Sequence, residues 1–244
     1  MLLNIMNKEW LKIFLITLIV SLIQEVNAQI PVIENSTFYF PHPLQSGKAL
    51  HLVGLAAAKL PEDVVETDDI IRAPLFSYEL KFGLPENFIA YGGIHTNIVS
   101  NHFAVGTVWN YNFERFGIAV GTDLAYWFGR LTQFGFNTSY KGLVLYPNIG
   151  IGYRFNKFTL SLKSELVLDL TETSKNGNLE VTNNGEFLNG FTVGIYLEQP
   201  LWKDNYVVLG IRSTYLKFYY PVWAAFSTFD RTFYIPEFIF KFIL

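Results

Sequence analysis

Residues 103–128 read Phe-Ala-Val-Gly-Thr-Val-Trp-Asn-Tyr-Asn-Phe-Glu-Arg-Phe-Gly-Ile-Ala-Val-Gly-Thr-Asp-Leu-Ala-Tyr-Trp-Phe. Within it Phe103, Val105, Thr107, Trp109, Tyr111 and Phe113 alternate with Ala104, Gly106, Val108, Asn110, Asn112 and Glu114. After Arg115 the alternation resumes, Ile118, Val120, Leu124 and Tyr126 standing opposite Gly117, Ala119, Gly121 and Asp123. Successive side chains of an extended strand point to opposite faces, whereas a helix groups its apolar residues three and four apart. Two long strands joined by a tight turn are the direct reading.

The same period of two runs outward in both directions. Phe76, Tyr78, Leu80, Phe82 and Leu84 alternate with Ser77, Glu79, Lys81 and Gly83, and Leu160, Leu162, Leu166 and Leu168 with Ser161, Lys163, Glu165 and Asp169. Ten segments follow the pattern, at about 48–59, 74–84, 87–98, 102–114, 116–129, 142–155, 158–169, 187–199, 205–219 and 231–244. Short turns follow the second, fourth, sixth and eighth segments, and longer polar loops follow the first, fifth, seventh and ninth. The third connection, around Ser100 and Asn101, is short on the long-loop side. Soluble sheets use strands near 5–6 residues, while a tilted membrane strand needs about 9–11. The pattern therefore predicts an all-β fold, a single antiparallel up-and-down transmembrane β-barrel of about ten strands. Eight or twelve strands stay open, because the first segment is weak and residues 170–186 have room for a hairpin.

Composition agrees. The 244 residues are 50% hydrophobic and 17% aromatic but only 16% charged, against about 25% charged in ordinary soluble domains. A cup with an apolar lumen and a polar exterior needs more charge than this. The polar face is instead built of small residues and a few charges, which suits a lumen. Aromatics cluster at the strand ends, with Phe88, Phe113, Phe116, Phe155, Phe158 and Trp202 near the short turns. Tyr126, Trp127, Phe128, Tyr140, Tyr219 and Trp223 lie near the long loops. Two such groups are expected to form the girdles that membrane interfaces select. Net charge is −3, so no basic footprint argues for nucleic acid. Absence of cysteine excludes a disulfide framework, thiolate-ligated zinc and a thiol nucleophile.

Lys8 and Lys12 lead into an apolar run from Leu11 to Ile23, and Val26-Asn27-Ala28 offers small residues at a cleavage site. This order predicts a secretory signal peptide over residues 1–28, cut after Ala28. Residues 29–47 do not alternate, and Pro31, Pro41 and Pro43 argue against a strand. They are expected to form an N-terminal arm, periplasmic or plugging, ahead of a barrel at 48–244.

The last segment, Tyr234-Ile-Pro-Glu-Phe-Ile-Phe-Lys-Phe-Ile-Leu244, puts Tyr234, Phe238, Phe240, Phe242 and Leu244 on one face. It resembles the C-terminal strand by which Gram-negative outer-membrane β-barrels are recognised for assembly, although that family usually ends in Phe where this chain has Leu244. The resemblance covers the architecture of residues 29–244 and implies an outer-membrane location and insertion by the barrel-assembly machinery. It implies no substrate.

Parity places the acids Glu79, Glu114, Asp123, Glu165, Glu198 and Glu237 and the bases Lys81, Arg154, Lys163, Arg212 and Lys241 inward. Arg212 and Glu237 sit at similar depth on neighbouring strands and are expected to face each other. Glu79, Lys81, Asp123, Lys163, Glu165, Arg212 and Glu237 form the candidate lumen network. Mixed signs favour a paired plug over a selectivity ring. Inward glycines at 106, 117, 121, 150, 152, 190, 194 and 210 are expected to leave some room.

His95 and His102 flank Ser100, which could serve an acyl-transfer site, but the spacing carries no hydrolase signature, and no residue is assigned a catalytic role. No cofactor and no metal site are expected. The loop at 60–73 carries five acids before Arg72 and could meet divalent cations bridging lipopolysaccharide, although a solvated loop explains it as well. The apolar stretch Tyr219–Phe226 is expected to fold over the lumen or dip into the outer leaflet. Expected partners are outer-membrane lipid and lipopolysaccharide, the assembly machinery and other envelope proteins. The sequence thus leads to a structural or interaction barrel with a largely side-chain-filled lumen, with a narrow channel for small polar solutes or ions and a lipid-modifying enzyme as alternatives.

Overall fold

A computed structural model describes residues 37–65, 72–97, 99–132, 137–177, 179–181, 187–201, 205–223 and 231–244. The predicted signal peptide, residues 29–36 of the arm, Trp202, and parts of the acidic loop and of the stretch after Trp223 lie outside them. The described residues form eleven strands: β1 (Ala49–Lys59), β2 (Arg72–Gly83), β3 (Phe88–Thr96), β4 (Ser100–Phe113), β5 (Phe116–Leu131), β6 (Thr138–Arg154), β7 (Thr159–Asn176), β8 (Leu179–Val181), β9 (Leu188–Pro200), β10 (Tyr206–Leu216) and β11 (Phe233–Ile243). One helical turn, α1 (Glu62–Val65), follows β1, and a 3-10 turn (Tyr220–Val222) lies between β10 and β11. Among the described residues no helix is long and apolar enough to cross a membrane.

Ten strands close a ring, each antiparallel to its sequence neighbours, with β7 pairing β9 and β11 returning to β1. The closing register sets Leu52 against Ile243 and Ala58 against Glu237. The eleventh strand, β8, stands outside the ring as a hairpin on the end of β7. Pairing satisfies the backbone polar groups around the ring and leaves no open edge in it.

The segment read as loop after residue 169 continues as strand to Asn176, paired with the start of β6. Its residues, Thr171-Glu-Thr-Ser-Lys-Asn, are polar on both faces, so hydrophobic alternation carried no signal there. A register shift at Leu143/Val144 accommodates the extension.

Alternation translates into an inverted distribution of polarity. Val105 is 63% exposed and Ile211 62%, while Glu198 and Ile235 are fully buried. On β11 Tyr234, Phe238 and Phe242 face outward, as does Leu244 just past its end; Phe240 is partly covered on the same side, and Phe233, Ile235, Glu237, Ile239, Lys241 and Ile243 face inward. Trp109, Tyr111, Phe113, Phe116, Tyr153, Phe155 and Phe158 make successive ring contacts around the short-turn end. At the other end Tyr126 is exposed, but Trp127, Tyr140, Tyr219 and Trp223 are not on the outer girdle: all four are buried. Trp127 falls between outward Tyr126 and Phe128, so strict parity turns it inward; Tyr219 and Trp223 leave the strand altogether. Glu114 is likewise outside the lumen. It is exposed at the β4–β5 turn with φ 49°, where reversal of the chain overrides the parity of the strand.

Two apolar clusters occupy the barrel, one at each mouth. Phe38 and Leu44 pack with Leu50, Leu52, Tyr206, Val208 and Ile243 at the short-turn end. Trp127, Tyr140, Phe218, Tyr219, Tyr220 and Trp223 pack at the long-loop end.

Candidate functional site: a chamber between two seals

Between these clusters lies a cavity of about 170 Å³, room for on the order of ten waters. Its wall holds Glu79, Lys81, Asp123, Lys163, Glu165, Arg212 and Glu237, the whole candidate network, together with Lys241. Four acids thus face four bases. Arg212 and Glu237 are register partners on β10 and β11, joined at 2.5 Å, and Glu237 also accepts from Thr214 and from the Tyr219 hydroxyl, each at 3.3 Å. Lys163 lies 2.7 Å from Glu165 and 3.8 Å from Asp123. Asn148 donates to Asp123 and Thr192 to Glu165. Lys241 pairs with Glu79 and also donates to the Tyr39 hydroxyl at 3.0 Å. Lys81 makes no ion pair among the described residues; it donates to the Phe38 carbonyl and stands 4.6 Å from the centre of the Phe38 ring. Charges removed from bulk water must be matched in this way.

The floor of the chamber is the arm. Glu198, fully buried near the end of β9, accepts the backbone N–H groups of Phe38, Tyr39 and Phe40 at 2.5, 3.0 and 2.7 Å, and the Thr159 hydroxyl at 3.3 Å. Three amides converging on one carboxylate hold an irregular backbone that joins no sheet. Tyr39 stacks on Tyr196 at 3.8 Å, and the Arg154 guanidinium lies 4.8 Å from the centre of the Phe40 ring. The room expected beside the inward glycines is filled here. A Cβ at Gly117 would lie 2.1 Å from the Pro41 carbonyl oxygen, and one at Gly152 2.7 Å from the Phe40 ring. Further round, the Tyr196 ring lies over Gly194 and Gly210.

The roof is the β10–β11 connection. Ser100 donates to the Tyr220 carbonyl at 3.2 Å, Asn97 to the Pro221 carbonyl at 2.6 Å, and Asn189 to the Phe218 carbonyl at 3.1 Å. Tyr220 stacks on Trp127 and donates to Asp169. Burial pushes the Tyr219 and Tyr220 hydroxyls well above the usual phenol range, and the carboxylates of Glu237 and Asp169 push them further, so both remain protonated donors. Of the two routes open to the Tyr219–Phe226 stretch, residues 219–223 take the one into the lumen.

His95 and His102 are register partners on β3 and β4, their rings 4.8 Å apart, with His102 against Trp127 at 4.2 Å. Neither engages Ser100, whose hydroxyl is committed to the roof. No group of three or more His, Asp or Glu that could hold a metal occurs among the described residues. In the acidic loop, Asp63 pairs with Arg231 and Glu62 with Lys59.

Parity exposed the wall charges, but nothing periodic marked the arm, the roof or the role of Glu198 as their anchor. No protein-family model matches the chain, and no curated protein matches it. Among solved structures it is similar to the NanC porin, with 9% identity over 78% of this chain and 98% of that one, at a TM-score of 0.39. It is also similar to the outer membrane phospholipase A from Escherichia coli, with 11% identity over 86% and 93%, at 0.38. CdiB from Acinetobacter baumannii matches with 11% identity over 70% of this chain and 32% of that one, at 0.32. Likeness at this identity is one of fold alone, and the function of this chain has to be read from its own lumen and surface.

Proposed function

We infer that this protein is an integral outer-membrane barrel with a structural or interaction role in the cell envelope, sealed at rest against solute flow. The observation that carries the reading is the pair of packed ends: residues 37–44 pack into one end of the barrel and residues 217–223 into the other, with a charge-balanced chamber between. The apolar exterior, with Val105, Ile195, Ile211 and Phe238 turned outward, supports immersion in lipid. In that setting the short turns face the periplasm, the long loops face outside, and β11 is the strand on which the assembly machinery acts. The loops, rather than a catalytic centre, are then the surfaces offered to lipopolysaccharide and neighbouring envelope proteins.

The test is single-channel recording from the refolded protein in a planar bilayer, with insertion verified by a heat-dependent shift on gel electrophoresis. The expected result is an inserted, silent barrel. Steady conductance from the unmodified protein would refute the reading and establish a channel.

A further inference from the structure

We propose that residues 37–47 are a displaceable plug, and that the chamber they close is an occluded site for a small, net-neutral polar solute, entered from the short-turn end. This rests on the sealed-barrel reading and adds to it a moving part and a cargo class.

Four observations converge. First, the arm is held as a bound segment rather than as part of the wall. Its backbone amides at 38–40 go to the Glu198 carboxylate and its Phe38 carbonyl to Lys81. Between described residues, the backbone–backbone bonds that tie this region to the sheet lie at its C-terminal end, from Gly47 to Gly83 and from Gly83 to Lys48. Second, the arm departs from the sheet at a tight turn: Gly47 sits at φ 84°, the Lys48 amide donates to the Gln45 carbonyl, and nothing lies within 4 Å of where a Gly47 Cβ would be, so the turn is a pivot free of side-chain packing. Third, the arm covers a void. Immediately behind Phe38 and Tyr39 lies the chamber, so the segment, packed on one side against the apolar cluster, borders open space on the other. Fourth, the groups that release would uncover, Glu198, Lys81 and Lys241, are charged and can be satisfied again by water or by a solute. The buried rings of Phe38 and Phe40 make the closed state the resting one.

The opposite seal borders the same chamber but is held differently. Residues 217–223 continue directly from β10, their carbonyls accept from side chains on three separate segments, and their rings join an aromatic cluster in which Tyr140 contacts Phe218, Tyr220 and Trp223. Opening is therefore assigned to the floor, which makes the chamber a blind site rather than a through-pore. The cargo class follows from the wall. Four acidic and four basic groups face the space, and release of the arm adds one of each, Glu198 and the Arg154 guanidinium beneath the Phe40 ring; an anion or cation entering alone would leave one charge unmatched, whereas a zwitterion or neutral polar molecule would not. Eight formal charges exclude a lipid chain.

The chain has no cysteine, so a single introduced thiol reports on the chamber. Ala104, buried in the chamber wall on β4, is replaced by Cys, and its reaction with cationic and anionic methanethiosulfonates of equal size is timed in the full-length folded protein, with and without Glu198→Gln. The expected result is slow labelling with Glu198 intact, at least tenfold faster labelling with E198Q, and similar rates for the two reagents. A second measurement needs no variant: hydrogen exchange at the Phe38, Tyr39 and Phe40 amides is expected to run at least tenfold faster than at mid-strand amides of β5 and β9. Arm amides that exchange as slowly as the strands, or a thiol whose labelling E198Q does not accelerate, would overturn the plug. A tenfold preference for one reagent charge would overturn the net-neutral cargo. Conductance of the unmodified protein would instead refute the sealed-barrel reading itself, so the two failures are distinct.

Discussion

Replacing Lys241 by Met is expected to destabilise the barrel by about 3–5 kcal/mol, the cost of leaving one member of a buried ion pair without its partner. Lys241 lies on β11, and its side chain crosses β1 above Gly54 to reach Glu79 on β2. A Cβ at Gly54 would stand 2.3 Å from the Lys241 Cγ, so the glycine is the saddle over which the lysine passes. Both side chains are nearly inaccessible, 6% for Lys241 and 5% for Glu79, and so are poorly screened. Methionine keeps the length and volume of the lysine but strands the Glu79 carboxylate and removes the bond to Tyr39. With a urea m-value of roughly 2–3 kcal/mol/M, the unfolding midpoint in lipid vesicles should fall by on the order of 1–2 M. Adding Glu79→Met should recover most of the loss, because a buried pair replaced by apolar groups of similar volume is often close to neutral. Lys59→Met, at the exposed 3.6 Å pair with Glu62, is the control and should cost less than about 1 kcal/mol. A Lys241→Met midpoint within about 0.3 M of the unmodified protein would refute the reasoning, since it would mean that chamber water already hydrates Glu79.

Gly117→Ala places a methyl group against the Pro41 backbone rather than against a side chain that could swing away. It should cost about 1–3 kcal/mol and make residues 37–47 more sensitive to protease; an arm as resistant as before would show that the contact is not tight. Ile211→Arg, on the outward face of β10 at 62% exposure, should cost about 2–4 kcal/mol in vesicles if the residue lies near the bilayer midplane. A neutral result would argue against lipid contact there. Tyr220→Phe removes the hydroxyl shared by Asn189 and Asp169 and should cost about 1–3 kcal/mol. Hydrogen exchange at residues 217–223 should rise with it, and an unchanged pattern would show that ring packing alone holds the roof.

The sealed lumen joins these expectations to function. Both mouths combine packed rings with hydrogen bonds, but the floor's polar hold converges on one carboxylate, Glu198, whereas the roof's is spread over Asn97, Ser100, Asp169 and Asn189.

Strand order, strand faces and barrel closure were legible in the amino-acid sequence because a sheet with one apolar and one polar face writes its geometry as a period of two. Short hairpins such as the one at Glu114-Arg115 set the register, so the common depth of Arg212 and Glu237 could be counted from the strand ends. Where both faces turn polar, as along residues 171–176, the period vanishes, so the sequence leaves room for a hairpin in 170–186 without marking its strands, and β7 and β8 form one there. Tertiary structure alone decided the rest. Glu79 meets Lys241 only because β11 closes on β1, and Glu198 meets Phe38 across 160 residues of chain. Among the described residues the arm has no helix or strand and the roof only the 3-10 turn at Tyr220–Val222, so no periodic signal marks them. Their positions come instead from chemical complementarity inside a space that does not exist until the ring has closed.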